Sequence, residues 1–394
     1  MQDPITSGSY SNSGVLPLDE SNILSWVHFG DLHITHEEGQ NYRDFLLLIN
    51  DANQHLGKGG VNFAFLPGDN AENGTEAQYQ LISRAIAGLR IPLHAIPGDH
   101  DIQSGSLESF RSHLCPEIPT SLKVGPYRCI FLNAVDSESA KGFGFQREQL
   151  AWLAGELRNA ILSDQRPVVF LHNYPSELGD SAATVRKLLH EHHVLLVEMG
   201  HTHYNEIAND GRVLYAATRS TGQIEEGAVG FSITNVDDGV VSWKFKALER
   251  RWPFVMITSP ADSRLLTDPA DPNHLARGAL EVRAKAWSGK GEVRALCRVD
   301  GGPWRTMFAH GSLPIWKWEW DSQRYDDGPH SINVRVQDSS GAFAEDVITA
   351  LSNQSGRYIP PSRFHGDDVN AIGAYPEKGI LGTQLGPNKN GRPW

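Results

Sequence analysis

Five short stretches of the chain combine carboxylates with imidazoles, and each follows an apolar run with the pattern of a buried strand. They read GDLH, GDN, GDHD, LHN and GHTH, and their candidate ligand side chains are Asp31, His33, Asp69, Asp99, His172, His201 and His203. This mixture of hard oxygen and borderline nitrogen donors suits Mn, Fe, Zn or Ni, whereas thiolates are typical of a structural zinc site. The stretches therefore predict a site for transition metals.

All five stretches follow a predicted strand, and this common position supports the hypothesis of a metal site. A single GD or a single histidine after a strand is usually an ordinary turn or a packed side chain. Open α/β sheets, however, bind their ligands at the carboxyl ends of the strands. The glycines before three of the aspartates and before His201 permit tight turns and a close approach of the backbone. We therefore expect the ligand side chains to converge at one edge of the protein.

The elements that must position these side chains follow from the hydrophobic pattern. From Ile23 to about Leu248, short apolar runs such as ILSWVHF alternate with longer amphipathic ones such as NYRDFLLLINDANQHL. This alternation predicts an α/β fold with a mainly parallel sheet covered by helices. The last two runs, AVGFSITNV and GVVSWKFKAL, flank a DDG turn and are expected to form an antiparallel hairpin.

The pattern changes near Arg251, where short alternating segments separated by Gly, Asp and Pro predict an all-β sandwich of immunoglobulin-like or fibronectin-like kind. Within it, IWKWEW places three tryptophans on one strand face, either as one side of the core or as an exposed docking stripe. The predicted division is an N-terminal arm at 1–22, a catalytic domain at 23–250, the β-sandwich at 251–353 and an extended tail at 354–394. The tail is expected to lie over the protein surface.

Charge and composition limit the partners. The chain has 35 Lys and Arg against 47 Asp and Glu, a net charge of −12, which argues against a nucleic-acid backbone or an anionic membrane as partner. No stretch approaches the roughly 20 apolar residues of a membrane span, and the first residues lack the apolar core of a signal peptide. Cys115, Cys129 and Cys297 have no metal-ligand spacing and favour a reducing compartment. We therefore expect a cytoplasmic protein that acts on a small molecule, either as a monomer or as a homo-oligomer.

The order of the motifs, D-x-H, G-D, a G-N-H-D/E-like turn, a histidine and G-H-x-H, resembles the calcineurin-like metallophosphoesterase family over nearly all of residues 23–248. The resemblance implies two sheets flanked by helices and two divalent metal ions about 3.5 Å apart. Position by position, it assigns the first metal to Asp31, His33, Asp69 and His203, and the second to Asp69 as a bridge, Asp99, His172 and His201. It also makes His100 the general acid and Asp101 the carboxylate that orients His100.

The resemblance has one departure, because the family usually has asparagine at the position of Asp99. A carboxylate only accepts hydrogen bonds, whereas an amide can also donate one to a phosphate oxygen. The additional negative charge is expected to hold the second metal more tightly and to repel a phosphate dianion. Diesters should therefore be favoured over monoesters.

The leading hypothesis is a dinuclear metal-dependent phosphoric ester hydrolase, a phosphodiesterase that uses a metal-bridging hydroxide. The segment around Arg219 is similar to a strand of the cyclic nucleotide phosphodiesterase branch, so Arg219 is a candidate contact for phosphate. An ion pair of Arg219 with Glu225 or Glu226 is the alternative. The competing functions are a phosphomonoesterase, a divergent dimetal enzyme that does not act on phosphate, such as a redox enzyme, and a binding protein with a vestigial metal site.

Overall fold

The computed structural model of the protein describes residues 22–57, 59–135, 142–223, 227–267, 274–358, 373–375 and 380–384. The predicted N-terminal arm at 1–22 lies almost wholly outside these residues. The helices are α1 (Gln40–His55), α2 (Glu76–Ile86), α3 (Glu108–His113), α4 (Arg147–Leu162) and α5 (Ala182–Glu191). No helix in the described ranges combines the length and the apolar composition that a membrane crossing requires.

The first sheet carries the strands that begin the chain. Its members are β1 (Ile23–Phe29), β2 (Phe63–Leu66), β3 (Leu93–Ala95), β10 (Gly230–Asp237) and β11 (Val240–Ala247), in the order β11-β10-β1-β2-β3. Strands β1, β2 and β3 are parallel, whereas β10 pairs antiparallel with both β1 and β11. The DDG turn thus closes the predicted hairpin between β10 and β11.

The second sheet has eight strands. They are β4 (Thr120–Val124), β5 (Tyr127–Phe131), β6 (Arg166–Phe170), β7 (Leu196–Met199), β8 (Glu206–Asn209), β9 (Leu214–Ala217), β20 (Gly373–Tyr375) and β21 (Ile380–Gln384). The order is β20-β21-β8-β9-β7-β6-β5-β4, and the central strands β5, β6, β7 and β9 are parallel. Two short strands of the C-terminal tail therefore extend this sheet at its β8 edge.

The two sheets pack face to face over an aromatic core. Trp26 and Phe63 of the first sheet lie against Phe131 and Phe170 of the second, and all four side chains are buried. Alternate residues of β1, such as Phe29, point instead to the outer face, where they pack against α1 and α2. Helices α4 and α5 cover the outer face of the second sheet. Period-two alternation in the strands thus supplies one core between the sheets and one under each helical layer.

The remaining strands form a separate pair of antiparallel sheets. One contains β12 (Phe254–Ser259), β13 (Ala279–Trp287), β16 (Phe308–His310) and β17 (Ile315–Asp321); the other contains β14 (Val293–Val299), β15 (Arg305–Thr306), β18 (Gly328–Asp338) and β19 (Phe343–Ser352). Their facing sides share one core, in which Trp320 is buried and Trp316 and Trp318 are partly buried. The tryptophans on β17 therefore belong to the core side of the sandwich. The predicted fold class, two sheets flanked by helices followed by an all-β unit, is confirmed.

The all-β unit packs on the first sheet and α1. Trp252, Phe254 and Trp287 join the apolar cluster under α1. The guanidinium of Arg283 donates to both oxygens of the buried Asp237 carboxylate, at 2.8 and 3.0 Å. The two units therefore share buried contacts. The domain limits predicted from the sequence, at 22/23, 250/251 and 353/354, stay a proposal.

Candidate metal centre

The carboxyl ends of five strands, three from one sheet and two from the other, meet at one edge of the sandwich. The first sheet contributes Asp31 and His33 after β1, Asp69 after β2 and Asp99 after β3; the second contributes His172 after β6 and His201 and His203 after β7. The structure therefore brings together all seven side chains proposed as ligands, as three groups of candidate ligand atoms show.

The backbone at this edge adopts conformations that ordinary residues avoid. His33, Asp69, His201 and His203 have φ angles of 45°, 50°, 65° and 62°. Left-handed backbone costs a residue with a side chain about 1 kcal/mol or more, so the surrounding structure must hold these residues in place. A cluster of four such residues at one site is typical of a functional site.

Two glycines permit the close packing around the carboxylates. A Cβ at Gly98 would lie 2.2 Å from Oδ1 of Asp69, and a Cβ at Gly200 would lie 2.2 Å from Oδ1 of Asp31. These distances are far below van der Waals contact, so any larger residue would displace a candidate ligand. Positions 98 and 200 therefore require glycine for steric reasons.

Backbone groups fix the orientation of the candidate ligands. The N–H of His201 donates to Oδ2 of Asp31 at 2.8 Å, and the N–H of His100 donates to Oδ1 of Asp69 at 2.9 Å. Nδ1 of His172 lies 2.8 Å from the carbonyl oxygen of Pro67 and must be the protonated nitrogen, because a carbonyl only accepts. Nε2 of His172 is therefore the nitrogen that faces the carboxylates.

The Asp69 carboxylate lies between two groups of candidate ligand atoms. One atom each from Asp69, Asp99, His172 and His201 lie within 4.8 Å of one another, and so do atoms of Asp31, His33 and His203. Oδ1 of Asp69 lies 3.5 Å from Nε2 of His172, and Oδ2 of Asp69 lies 3.7 Å from Nε2 of His33. Each oxygen of Asp69 therefore faces a different group, which is the arrangement of a carboxylate that bridges two metals.

The buried carboxylates and imidazoles of the cluster favour bound cations. Oδ1 of Asp31, Oδ1 of Asp99 and Nε2 of His172 are buried and have no hydrogen-bond partner among the described residues. Burial raises the pKa of Asp31 well above its ordinary range and lowers the pKa of His33 to about 3. A neutral imidazole is the form that binds a metal, and a cation would offset the cost of burying the carboxylates. The residues present therefore fit two divalent cations.

The carboxylates of the cluster also act on the pKa of the neighbouring side chains. Although burial acts to lower it, the charge of Asp69 raises the pKa of His172 well above its usual value. Burial acts to raise the pKa of Asp99, but the neighbouring imidazoles of His172 and His201 lower it. The carboxylates therefore favour positive charge at the position that Nε2 of His172 faces, which a bound metal ion would supply.

His100 lies beside the cluster with one nitrogen already engaged. Its Nδ1 donates to the carbonyl oxygen of Glu72 at 2.8 Å, and its ring centroid lies 4.5 Å from that of His33. Nε2 is therefore the nitrogen available to carry a proton to a bound molecule. Burial opposes it, but the charge of Asp69 raises the pKa of His100 above its ordinary value, which suits a proton donor near neutral pH.

Asp101 requires a correction, because it does not orient His100. Its carboxylate is fully buried and accepts hydrogen bonds from the N–H groups of Gly98 at 2.9 Å and Ala71 at 2.9 Å, and from the Tyr79 hydroxyl at 2.6 Å. It also accepts from the backbone and the side chain of Asn70, at 3.2 and 2.9 Å. Both oxygens are used by the loops that follow β2 and β3, so Asp101 holds those two loops together.

Glu72 is the carboxylate beside the histidines, and the sequence did not reveal it. Its Oε2 lies 3.0 Å from Nδ1 of His33, and its Oε1 lies 3.8 Å from Nδ1 of His100. The side-chain amide of Gln223 donates to the same carboxylate at 3.2 Å. The position of Glu72, three residues after Asp69 in GDNAE, was the available signal. No spacing in the sequence indicates Gln223.

Arg219 lies at a cavity beside the all-β unit. Its guanidinium lies 4.0 Å from the centroid of the Phe245 ring on β11 and lines a cavity between the two units, together with Lys244 and Arg264. None of the candidate metal ligands lines that cavity. The guanidinium therefore lies at a cavity that the candidate ligands do not line, and the phosphate contact of Arg219 stays a prediction. The alternative partners Glu225 and Glu226 lie outside the described residues.

Phe143 closes one side of the cluster. Its ring centroid lies 4.9 Å from that of His201 and 5.7 Å from that of His172. An aromatic ring against two imidazoles limits the access of water to the group that contains Asp99. No motif in the sequence indicates this contact.

Comparisons with known proteins agree with this geometry. Residues 24–205 match the sequence profile of the calcineurin-like phosphoesterase family. The glycerophosphodiester phosphodiesterase GpdQ of Enterobacter lignolyticus is 31% identical over 121 residues, which are 29% of this chain and 42% of that protein. A probable GpdQ of Arcobacter nitrofigilis is 28% identical over 125 residues, 31% of this chain and 45% of that protein. The chain therefore matches less than half the length of these relatives.

A solved structure of a dimetal phosphatase from Danio rerio aligns with 57% of this chain and 96% of its own length, at 17% identity and a TM-score of 0.48. The family match covers β1 to the turn after β7 and contains all seven candidate ligands. Residues 24–205 of the chain therefore match the calcineurin-like phosphoesterase family, and the match includes every candidate ligand.

Proposed function

We propose that the chain is a dinuclear metal-dependent phosphoester hydrolase that acts on phosphodiesters. The observation that carries the proposal is the shared carboxylate of Asp69, whose two oxygens face two separate groups of ligand atoms. One cation would be held by Asp31, His33, Asp69 and His203, and the other by Asp69, Asp99, His172 and His201. When bound, a pair of Mn, Fe, Zn or Ni ions supplies Lewis acidity and an activated water molecule.

The protein groups around the centre account for the other requirements of hydrolysis. His100 presents Nε2 beside the cluster, with Nδ1 tied to Glu72, so it can protonate the alkoxide that leaves. The Glu72 carboxylate lies 3.0 Å from Nδ1 of His33, the ring nitrogen that does not face Asp69. The ring of Phe143 shields the side of His172 and His201. His100 thus supplies a proton, Glu72 orients His33, and Phe143 limits the access of water.

Preference for a diester rests on the charge at Asp99. Its side chain is 45% exposed, and its Oδ1 lies 3.3 Å from His172 Nε2 and 3.4 Å from His201 Nδ1. The carboxylate therefore stands at the open side of the cluster, where a substrate phosphate would approach. A monoanionic diester meets less repulsion there than a dianionic monoester does. The names of the GpdQ relatives, which are glycerophosphodiester phosphodiesterases, agree with this preference.

We also propose that the substrate is a small molecule and that the protein works in the cytoplasm. Support for the location comes from the cysteines, since all three are free, and two of them are buried.

The test compares an aryl phosphodiester with the aryl monoester that has the same leaving group. The purified protein is loaded in turn with Mn, Fe, Zn and Ni, and metal content is measured by elemental analysis. We expect at least one metal to support turnover of both esters, with a higher kcat/KM for the diester, and a chelator to remove the activity. Absence of turnover of either ester with two bound equivalents of each metal would overturn the proposal.

A further inference from the structure

A layer of buried polar side chains lies between the two sheets that carry the candidate metal ligands. Its members, all fully buried, are His28 on β1, Ser232 and Thr234 on β10, Glu198 on β7 and Thr218 after β9. His28 precedes Asp31 by three residues, and Glu198 precedes His201 by three. The layer therefore lies at most about 10 Å along each strand from a candidate ligand. Further from the metal centre, the two sheets face each other with aromatic rings.

Hydrogen bonds cross from one sheet to the other within this layer. Nδ1 of His28 in the first sheet lies 2.5 Å from Oε1 of Glu198 in the second, and the Thr234 hydroxyl donates to Oε2 of Glu198 at 3.2 Å. The hydroxyl oxygens of Thr218 and Ser232, which also belong to different sheets, lie 2.6 Å apart. Hydrogen bonds require a defined direction and distance, whereas the hydrophobic effect that packs the aromatic core is non-directional. The polar layer therefore links the two sheets in one defined alignment.

The stability of the fold does not explain the pair of His28 and Glu198. Burial of two ionisable groups is costly, and such a pair can often be replaced by apolar residues of similar volume without loss of stability. Nε2 of His28 is also buried and has no hydrogen-bond partner among the described residues, which adds to the cost. An apolar pair would instead continue the neighbouring aromatic core. The pair therefore points to a role other than stability.

The candidate metal centre depends on the alignment of the two sheets, because each group of ligand atoms takes residues from both. In one group Asp31 and His33 of the first sheet join His203 of the second; in the other Asp69 and Asp99 join His172 and His201. A shift of one sheet along the other would change the distances within both groups. A displacement of about 1 Å at a reacting centre can cost about 10²-fold in rate.

We infer that His28 and Glu198 are positioning residues for the dinuclear centre. Their hydrogen bond fixes the position of β1 relative to β7, and thereby the positions of Asp31 and His201, which follow these strands. Neither His28 nor Glu198 belongs to a group of candidate ligand atoms, so the pair acts through the ligands. The contact between Thr218 and Ser232 supports the same alignment. The inference rests on the proposed dinuclear site and extends it to residues outside the five ligand motifs.

The test replaces the pair by apolar residues of similar total volume in the full-length variant His28→Leu/Glu198→Val. Urea unfolding verifies that the metal-free variant is folded under the conditions of the titration. In a calorimetric titration with Zn²⁺, the affinity for the second equivalent should fall by about tenfold. The exchange coupling between two bound Mn²⁺ ions, measured by EPR, should also differ from that of the wild-type protein, because it depends on their separation. Zinc affinity and exchange coupling that both stay at the wild-type values would overturn the inference.

Further variants separate position from charge and from stability. Glu198→Gln keeps an acceptor for His28 but removes the carboxylate charge, so it should retain the zinc affinity and the exchange coupling of the wild-type protein. A loss as large as that in the double variant would show that the charge acts on the metals and would contradict the positioning role. Thr218→Val/Ser232→Ala removes the second contact between the sheets without leaving a buried charge. It should weaken the second zinc equivalent even if the first double variant does not fold, and wild-type affinity in this variant would then overturn the inference.

The matched control is His190→Gln. Nε2 of His190 on α5 lies 2.7 Å from Oδ2 of Asp210, on the outer side of the second sheet, so this variant alters a similar pair away from the layer. Its zinc affinity should equal that of the wild-type protein, and a loss equal to that of His28→Leu/Glu198→Val would contradict the inference. A wild-type protein that binds fewer than two equivalents would refute the proposed function itself, and the inference with it.

Discussion

Nδ1 of His33 lies 3.0 Å from Oε2 of Glu72, while Nε2 of the same ring lies 3.7 Å from Oδ2 of Asp69. The imidazole is therefore held between an outer carboxylate and the metal cluster. A carboxylate close to the outer nitrogen of a metal-ligating histidine orients the ring and raises its basicity. Glu72 thus connects the loop after β2 with the ligand that follows β1.

The first prediction concerns this pair. Glu72→Gln removes the charge that fixes His33, so we expect the affinity for the first metal to fall by about 10–100-fold. Calorimetric titration of the metal-free protein with Zn²⁺ measures this change. Glu76→Gln is the matched control, because Glu76 accepts from His113 at 2.8 Å on α2, away from the cluster. Equal affinities in Glu72→Gln and Glu76→Gln would contradict the positioning role.

The second prediction concerns His100. His100→Asn should keep the metal content but slow the turnover of diesters with alkyl leaving groups by about 10²–10⁴, because these alkoxides need a proton. Diesters with a nitrophenolate leaving group should lose much less activity. The measurement is the ratio of the kcat values for the two substrate types in the wild-type protein and the variant. A similar loss with both types would argue against the acid role.

The third prediction concerns Asp99. In Asp99→Asn, one negative charge is removed and a donor to a phosphoryl oxygen is gained, an interaction worth roughly 1.5–3 kcal/mol. With metal in excess, kcat/KM for an aryl monoester should rise relative to the matching diester, while the second metal should be lost more readily under mild chelation. A monoester-to-diester ratio that stays constant or falls would contradict the proposal that the charge of Asp99 disfavours monoesters.

The fourth prediction concerns Lys285, whose buried ammonium group donates to the Gly60 carbonyl oxygen at 2.8 Å between the two units. Burial lowers the pKa of Lys285 to about 7, whereas an unfolded lysine titrates near 10.4. Between these values the unfolded chain binds one proton more than the folded chain, so stability rises with pH.

Relative to Lys285→Met, the free energy of unfolding of the wild-type protein should therefore increase by about 2 kcal/mol from pH 7 to pH 9. Urea unfolding of both proteins at each pH measures this difference. A difference between the two proteins that does not change with pH would mean that Lys285 keeps its ordinary pKa in the folded protein.

The fold and the candidate ligands could be predicted because their signals are local. A strand of buried residues followed by Gly-Asp or Gly-His marks both the element and the place where it ends. Strand ends in parallel sheets meet at one edge, so side chains as distant in sequence as Asp31 and His203 could be placed together.

Roles that depend on loop packing could not be predicted in the same way. Asp101 and Glu72 are both carboxylates in turns near the cluster, and only the packed loops show that Asp101 binds backbone N–H groups while Glu72 faces His33 and His100. The segment of Arg219 was expected near the cluster, but its guanidinium lies over the ring of Phe245. The direction of a side chain after the end of a strand depends on backbone angles that no periodicity specifies.

The bridging role of Asp69 is the central claim, and metal stoichiometry tests it most directly. The wild-type protein, Asp69→Ala and His203→Ala are loaded with Zn²⁺ and desalted, and bound zinc is measured together with aryl diester turnover. We predict two equivalents and activity in the wild-type protein, one retained equivalent in His203→Ala, and loss of both metals and of turnover in Asp69→Ala. Two bound equivalents and undiminished turnover in Asp69→Ala would contradict the account.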